Sequence, residues 1–129
     1  MSTSDLIYDV IGAAMEVHRE LGPRLREPPY ENELRIRNYR VDQQRSWPSY
    51  YKKQTVGDCF TDLVVNGELV VEVKALTALG DEEMGQILNY VRISAIETGL
   101  LLNFKPKSLE VKRVARRNLT TDLRGLSTG

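Results

Sequence analysis

Apolar residues recur along this chain with two different periods, and the places where the period changes mark out its elements. From Ser4 to Leu21 the apolar positions Leu6, Ile7, Val10, Ile11, Ala14, Met15, Val17 and Leu21 form one broad stripe at helical spacing. The pattern predicts an amphipathic helix capped by Ser4, with Asp5 in its first turn and Gly22-Pro23 at its end. GPRLREPPY, residues 22 to 30, reads as a loop, because Pro28 and Pro29 suit a loop end or a first helical turn but not a helix interior. A second helix is expected from about Pro29 to Arg37, with Tyr30 and Leu34 on one side. From Arg40 to Lys53 the period falls to two, with Val41, Gln43 and Arg45 alternating with Asp42 and Gln44. Trp47-Pro48 should bend this stretch, and Tyr50 and Tyr51 are candidate strand residues.

The densest apolar run is FTDLVVNGELVVEVKA, residues 60 to 75, which predicts a β-hairpin turning at Asn66-Gly67. Both strands are apolar at nearly every position, as strands covered on both faces would be. Asp62, Glu72 and Lys74 interrupt them. A charge buried in such a strand is unfavourable unless it is paired or binds a metal. Glu72 and Lys74 are two apart and project from one face. A two-residue turn would pair Asp62 with Val71 and send it to the other face. A bulge at Gly67 changes the parity, so that Asp62 and Glu72 share a face, and this bulged register is the one expected.

Beyond the hairpin, Asp81, Glu82 and Glu83 open a third helix reaching about Glu97. Met84, Ile87, Leu88, Val91 and Ala95 are its expected buried stripe, and Gln86 and Tyr90 share a neighbouring face. Residues 99 to 104, GLLLNF, read as a fully apolar strand, and residues 109 to 115, LEVKRVA, as an alternating edge strand. Residues 116 to 129 are polar and read as a flexible tail. The order implies an α/β fold, a mixed central β-sheet flanked by helices, in a single domain spanning residues 1–129.

Composition narrows the function classes. No apolar run approaches the length of a membrane span, and the start MSTSDLIYDV lacks the basic region of a signal peptide. A cytoplasmic protein without membrane contact is expected. The lone Cys59 excludes an internal disulfide and any cysteine-cluster metal site. The lone His18 is read as a packing or surface residue without chemistry. Net charge is zero but segregated. Residues 58 to 97 hold Asp58, Asp62, Glu68, Glu72, Asp81, Glu82, Glu83 and Glu97 against Lys74 and Arg92. Residues 105 to 124 hold Lys105, Lys107, Lys112, Arg113, Arg116, Arg117 and Arg124 against Glu110 and Asp122. An acidic centre flanked by bases suits a metal site acting on a polyanion. Tyr50 and Tyr51 beside Lys52 and Lys53 could stack on bases, although such tyrosines are more often packing residues.

An acid, a short turn and then Glu72-Val73-Lys74 resembles the signature of the PD-(D/E)XK nuclease superfamily. Gln86 and Tyr90 on the following helix resemble its exonuclease-like branch. The ordered pieces resemble the GxxExxY protein family within it: IGAAMEVHRELGP at 11 to 23, Glu27-Pro28-Pro29-Tyr30, DLVVNGELVVEVKAL at 62 to 76, GQILNYV at 85 to 91 and GLLLNF at 99 to 104. Two departures surround Glu27. Arg24 stands where the family motif has its glycine, and Pro28-Pro29 separate Glu27 from Tyr30.

The resemblance implies a restriction-endonuclease-like core and metal-dependent phosphodiester hydrolysis of nucleic acid, most readily DNA. It implies Mg²⁺ or Mn²⁺ held by Asp62, Glu72 and the Val73 carbonyl, with no other cofactor. Lys74 would activate the attacking water or stabilise the transition state, and Gln86 would position the nucleophile or the substrate. Glu27 is a further candidate carboxylate, whose bland reading is an acid favoured at a helix start. Tyr90 would brace the helix or touch the strand, while Lys105, Lys107, Lys112 and Arg113 would hold the backbone. A chain this small could act as a homodimer. Two other classes remain: a nucleic-acid-binding or scaffold protein with this fold and no turnover, and an unrelated domain in which Glu72 and Lys74 form a structural ion pair.

Overall fold

The computed structural model describes residues 2–24, 27–44, 50–51, 54–55 and 62–116. Expectations for Trp47-Pro48, Lys52, Lys53, Cys59, Phe60, Thr61 and the tail beyond Arg116 lie outside the described residues, as do the side chains of Tyr50 and Tyr51. Among the described residues three helices, α1 (Thr3–Leu21), α2 (Glu27–Ile36) and α3 (Asp81–Ser94), accompany seven strands. These are β1 (Val41–Gln44), β2 (Tyr50–Tyr51), β3 (Gln54–Thr55), β4 (Asp62–Val65), β5 (Leu69–Lys74), β6 (Thr98–Asn103) and β7 (Glu110–Ala115). Five form one sheet in the order β1-β4-β5-β6-β7, and β2 and β3 pair separately. Only β5 and β6 run parallel in the main sheet, joined by α3 as the crossover. This is the expected α/β architecture, a mixed sheet between helices.

Local chemistry explains the boundaries. α1 begins before Ser4, because Ser2 is the better-placed cap: its Oγ accepts from the Asp5 N–H at 3.2 Å and donates to the Asp5 carboxylate at 2.9 Å. Gly22, at φ 81°, ends α1 and donates its N–H to the His18 carbonyl at 2.8 Å. α2 starts at Glu27, earlier than the prolines suggest, since Pro28 and Pro29 fall in the first turn where no amide hydrogen is needed. α3 stops at Ser94 rather than near Glu97, as Ala95 turns left-handed at φ 62° and becomes the cap instead of a core residue.

The hairpin takes the bulged register. Asn66 and Gly67 both have positive φ, 53° and 68°, and Glu68 N–H donates to the Val65 carbonyl at 3.0 Å. Val65 nevertheless pairs with Leu69, so Glu68 is the extra residue. Asn66 tolerates the left-handed position and locks it, its Oδ1 accepting from the Arg40 N–H at 2.9 Å.

Strand alternation then sorts the sheet into two faces. Leu63, Val65, Leu69, Val71, Val73, Leu100 and Leu102 pack under α1 and α2 in the larger core. Val64, Val70, Leu101 and Val114 face α3, meeting Ile87, Tyr90 and Val91. Gly99 lets α3 approach closely, since a Cβ there would lie 2.9 Å from Val91 and 3.0 Å from Ile87. On α1, Met15 and Leu21 leave the expected stripe for solvent, while Ala13 and His18 enter the core. His18 is therefore a packing residue. Its Nε2 lies 2.8 Å from the Pro106 carbonyl, and its ring is tilted against Phe104.

Arg37 joins α1 to the end of α2. Its guanidinium meets Asp9 at 2.6 Å, Glu16 at 2.7 Å and Glu33 at 2.8 Å, and Tyr39 donates its hydroxyl to Asp9. The guanidinium lies across Gly12, the nearest nitrogen 3.8 Å from where a Cβ would stand.

Candidate active site

One end of the main sheet gathers the charged residues that interrupt its strands. Leu63 pairs with Val71, and one further step of that register sets Asp62 opposite Glu72. Both therefore belong to the α3 face, together with Lys74. The backbone of Asp62 is placed by β4, while its side chain lies outside the described residues. Glu72 and Lys74 are 5% and 4% exposed, deeply enough that their charges must be managed by neighbours.

Those neighbours differ. The Lys74 ammonium donates to Gln86 Oε1 at 3.0 Å. α3 makes this possible, because its second turn stands over the end of β5 and turns Gln86 towards the sheet. Glu72 Oε2 is buried and accepts no hydrogen bond from the protein. An orphaned carboxylate oxygen is unfavourable by about 1–3 kcal/mol, and a hard cation is the ligand that relieves it.

The backbone offers one more oxygen. The Lys74 carbonyl accepts from the Phe104 N–H at 2.9 Å, so it faces β6. Successive carbonyls along a strand point to opposite sides, which turns the Val73 carbonyl towards the β4 side, where β4 begins at Asp62. Among the described residues no three His, Cys, Asp or Glu side chains gather as a metal cluster. The oxygens that the described residues bring to this end are the unpartnered Glu72 carboxylate oxygen and the Val73 carbonyl, and the register sets the Asp62 position opposite Glu72.

Glu27 reaches the same end of the sheet from the other side. α2 runs antiparallel to β1: Arg35 donates to the Val41 carbonyl at 2.8 Å, and Glu31 accepts from Gln43 at 2.8 Å. Four helical residues rise about 6 Å and two strand residues about 6.7 Å. One turn earlier, the same progression carries Glu27 just past the last residue of β1, on the face of the sheet that α2 covers. The two prolines leave it within the helix. Its carboxyl is pushed above the ordinary value of 4.5, chiefly by burial and then by the neighbouring Glu31. A carboxyl raised in this way lowers stability as pH rises from its unfolded value through its folded one. Glu27→Gln is accordingly expected to leave stability unchanged near pH 3 and to increase it at pH 7, as read from urea midpoints at both pH values. Equal midpoints for the two proteins at pH 7 would show that Glu27 is not strained there.

Two expectations need correction. Tyr90 is only 7% exposed and packs against Val64 and Val70. Burial leaves no ring face for a strand of nucleic acid, so Tyr90 braces α3 on the sheet. Of the four bases expected to hold the nucleic-acid backbone, Arg113 lies on the other face, because β7 alternates. Lys105 and Lys107 are exposed in the turn after Asn103, at the Lys74 end. Lys112 is exposed and opposes Leu101, which opposes Glu72, on the same face. Arg113 opposes Leu100 on the other face and lines a hollow with Thr3, Ser4 and Glu68 at the opposite end of the sheet.

Sequence reasoning missed the network behind the site. Asn103 is fully buried next to Lys74 and binds the backbone of Leu76 and the carboxylate of Glu110. An Asn closing an apolar run was the available signal.

A five-stranded mixed sheet with acid, acid and lysine at one end and a glutamine from the crossover helix is the arrangement of a nuclease fold. The family model of the PD-(D/E)XK nuclease superfamily matches residues 4–114, and the chain belongs to that superfamily. No curated protein and no solved structure matches it. Among the described residues no helix is long and apolar enough to cross a membrane.

Proposed function

We propose that this protein is a divalent-metal-dependent nuclease of the GxxExxY branch, hydrolysing phosphodiester bonds of nucleic acid, with DNA the first substrate to test. One observation carries this reading: a buried, unpartnered Glu72 oxygen on the same face as a Lys74 ammonium held by Gln86. A protein without turnover has no need to keep an orphaned carboxylate beside an anchored amine.

Asp62, Glu72 and the Val73 carbonyl would hold Mg²⁺ or Mn²⁺, both hard cations that favour oxygen, and a cation held there would supply Lewis-acid polarisation of the scissile phosphate and a more acidic water molecule. Lys74 is a three-donor ammonium that gives one N–H to Gln86 and directs its charge at the oxygen where negative charge develops. Gln86 accepts one of that amine's N–H groups and so restrains it. Glu27 adds a third acid from the α2 side. Lys105, Lys107 and Lys112 bind phosphates flanking the bond that is cut, and this contribution weakens as salt rises. The branch assignment rests on Glu27 and Tyr30 of the motif. Tyr30 is fully buried, donates to the Val10 carbonyl at 3.1 Å and contacts Phe104, so its place in the motif is to seat α2 on α1.

The test is cleavage of end-labelled single- and double-stranded DNA and RNA with Mg²⁺ or Mn²⁺, against EDTA. Lys74→Ala should bind the cation with unchanged affinity by calorimetry and lose on the order of a hundredfold in rate. No divalent-ion heat and no cleavage of any of the four substrates would overturn the enzyme and favour a binding-only protein, a reading the altered sequence around Glu27 would then support.

A further inference from the structure

Resting on the nuclease reading, we infer that Asn103 is a positioning residue for Lys74: its buried amide, linked to Glu110, fixes the segment that carries Gln86 to the lysine. β5 and α3 are joined by residues 75–80, and the Lys74–Gln86 distance depends on how that segment is held. Asn103 ends β6 directly beside Lys74. Its Oδ1 accepts from the Leu76 N–H at 2.8 Å, and its Nδ2 donates to the Leu76 carbonyl at 2.9 Å. The amide thus stands in for a strand partner just where β5 has ended. Oδ1 also accepts from the Lys105 N–H at 3.4 Å.

Nδ2 donates its second hydrogen to Glu110 Oε1 at 3.0 Å, and the same oxygen accepts from the Leu79 N–H at 3.2 Å. Leu76 and Leu79 are therefore both tied to one side-chain pair. Next in the chain, Gly80 N–H is held by Glu83 at 2.9 Å and α3 begins. The outcome is Gln86 Oε1 at 3.0 Å from Lys74 Nζ.

Only asparagine meets these demands. The site needs an acceptor for the Leu76 and Lys105 N–H groups and two donors for two oxygens, from one short planar group. Aspartate has the same shape but no donor, and it would set a carboxylate against the Leu76 carbonyl and the Glu110 carboxylate.

The experiment compares wild type, Asn103→Asp, Glu110→Ala and the double variant Asn103→Asp/Glu110→Gln. The Lys74 ¹⁵Nζ and ¹³Cε NMR resonances of the metal-free protein are followed with kcat, KM, cation affinity and thermal midpoint. Asn103→Asp should shift the Lys74 resonances and lower kcat about 10- to 100-fold, as loss of a supporting hydrogen bond does, with KM and cation affinity unchanged. Glu110→Ala should act in the same sense but less. The double variant should recover part of both losses, because the amide introduced at position 110 can donate to the carboxylate introduced at position 103 while its oxygen still accepts from Leu79.

Lys74 resonances at their wild-type positions in both single variants would overturn the inference. So would a lower thermal midpoint with kcat intact, or a double variant no better than Asn103→Asp. If Asn103→Asp does not fold, Glu110→Ala decides alone: a shifted Lys74 supports the inference and an unmoved one overturns it. If wild type cleaves nothing, the nuclease reading fails, and the Lys74 resonances still decide whether Asn103 positions the lysine.

Discussion

Glu72→Gln is expected to abolish divalent-dependent cleavage while leaving the metal-free protein as stable as wild type, or slightly more so. The two effects have one cause. Glu72 Oε2 is buried without a hydrogen bond, so the metal-free fold carries an oxygen whose desolvation no hydrogen bond offsets. A neutral amide is less unfavourable to bury than a carboxylate, and the substitution should gain up to about 1 kcal/mol. The same change removes the charge a hard cation requires, and the rate should fall on the order of a thousandfold. Denaturant midpoints with and without Mg²⁺ separate these terms. Wild type should gain stability from the cation by mass action, whereas Glu72→Gln should not. A variant that still cleaves, or that is destabilised even without metal, would show Glu72 to be part of the scaffold.

The largest expected loss of stability is at Arg37. An exposed ion pair contributes about 0–1 kcal/mol, but this guanidinium is shared among Asp9, Glu16 and Glu33 and is only 24% exposed. Its side-chain bonds to Glu33 and Glu16 and its neighbour Asp9 raise its pKa further, so it stays charged at any ordinary pH. Arg37→Met would leave three carboxylates facing one another between α1 and α2, with no cation among them. A loss of about 3 kcal/mol is expected, lowering the thermal midpoint by roughly 10 °C for a domain of this size. Arg37→Lys should recover only part of it, since an ammonium lacks the planar fork that reaches all three acids. Salt should narrow the gap by screening the repulsion. A midpoint within about 2 °C of wild type would reduce the network to surface decoration.

The same cluster sets an alkaline limit. Burial first, and then the hydrogen bond to Asp9, push the Tyr39 hydroxyl from 10.0 up to about 12. A raised acid of this kind contributes stability below its unfolded pKa and loses it between the unfolded and folded values, so the link between Tyr39 and Asp9 weakens from about pH 10 upward.

Local pattern determined much of this molecule. Helical spacing in residues 4–21 and the run of acids at 81–83 specify α1 and α3, because each helix needs one apolar face and a favourable first turn. The same holds for the hairpin at Asn66-Gly67 and for the shared face of Glu72 and Lys74, which follow from positive-φ turn residues and the two-residue period of a strand. The face of Asp62 was a different matter. It depends on whether Glu68 pairs or bulges, a parity decided by the contacts of β4 and β5 and by Asn66 binding Arg40.

Only the tertiary structure could bury Tyr90 or draw His18 to Pro106, 88 residues away. The Asn103 amide meets Leu76 across 27 residues, and Arg37 meets Asp9 across 28. Such partners come together when layers pack, and nothing in the local period of either segment encodes them. For the same reason the sequence alone determined which residue types this site holds, while packing decided which of them face one another.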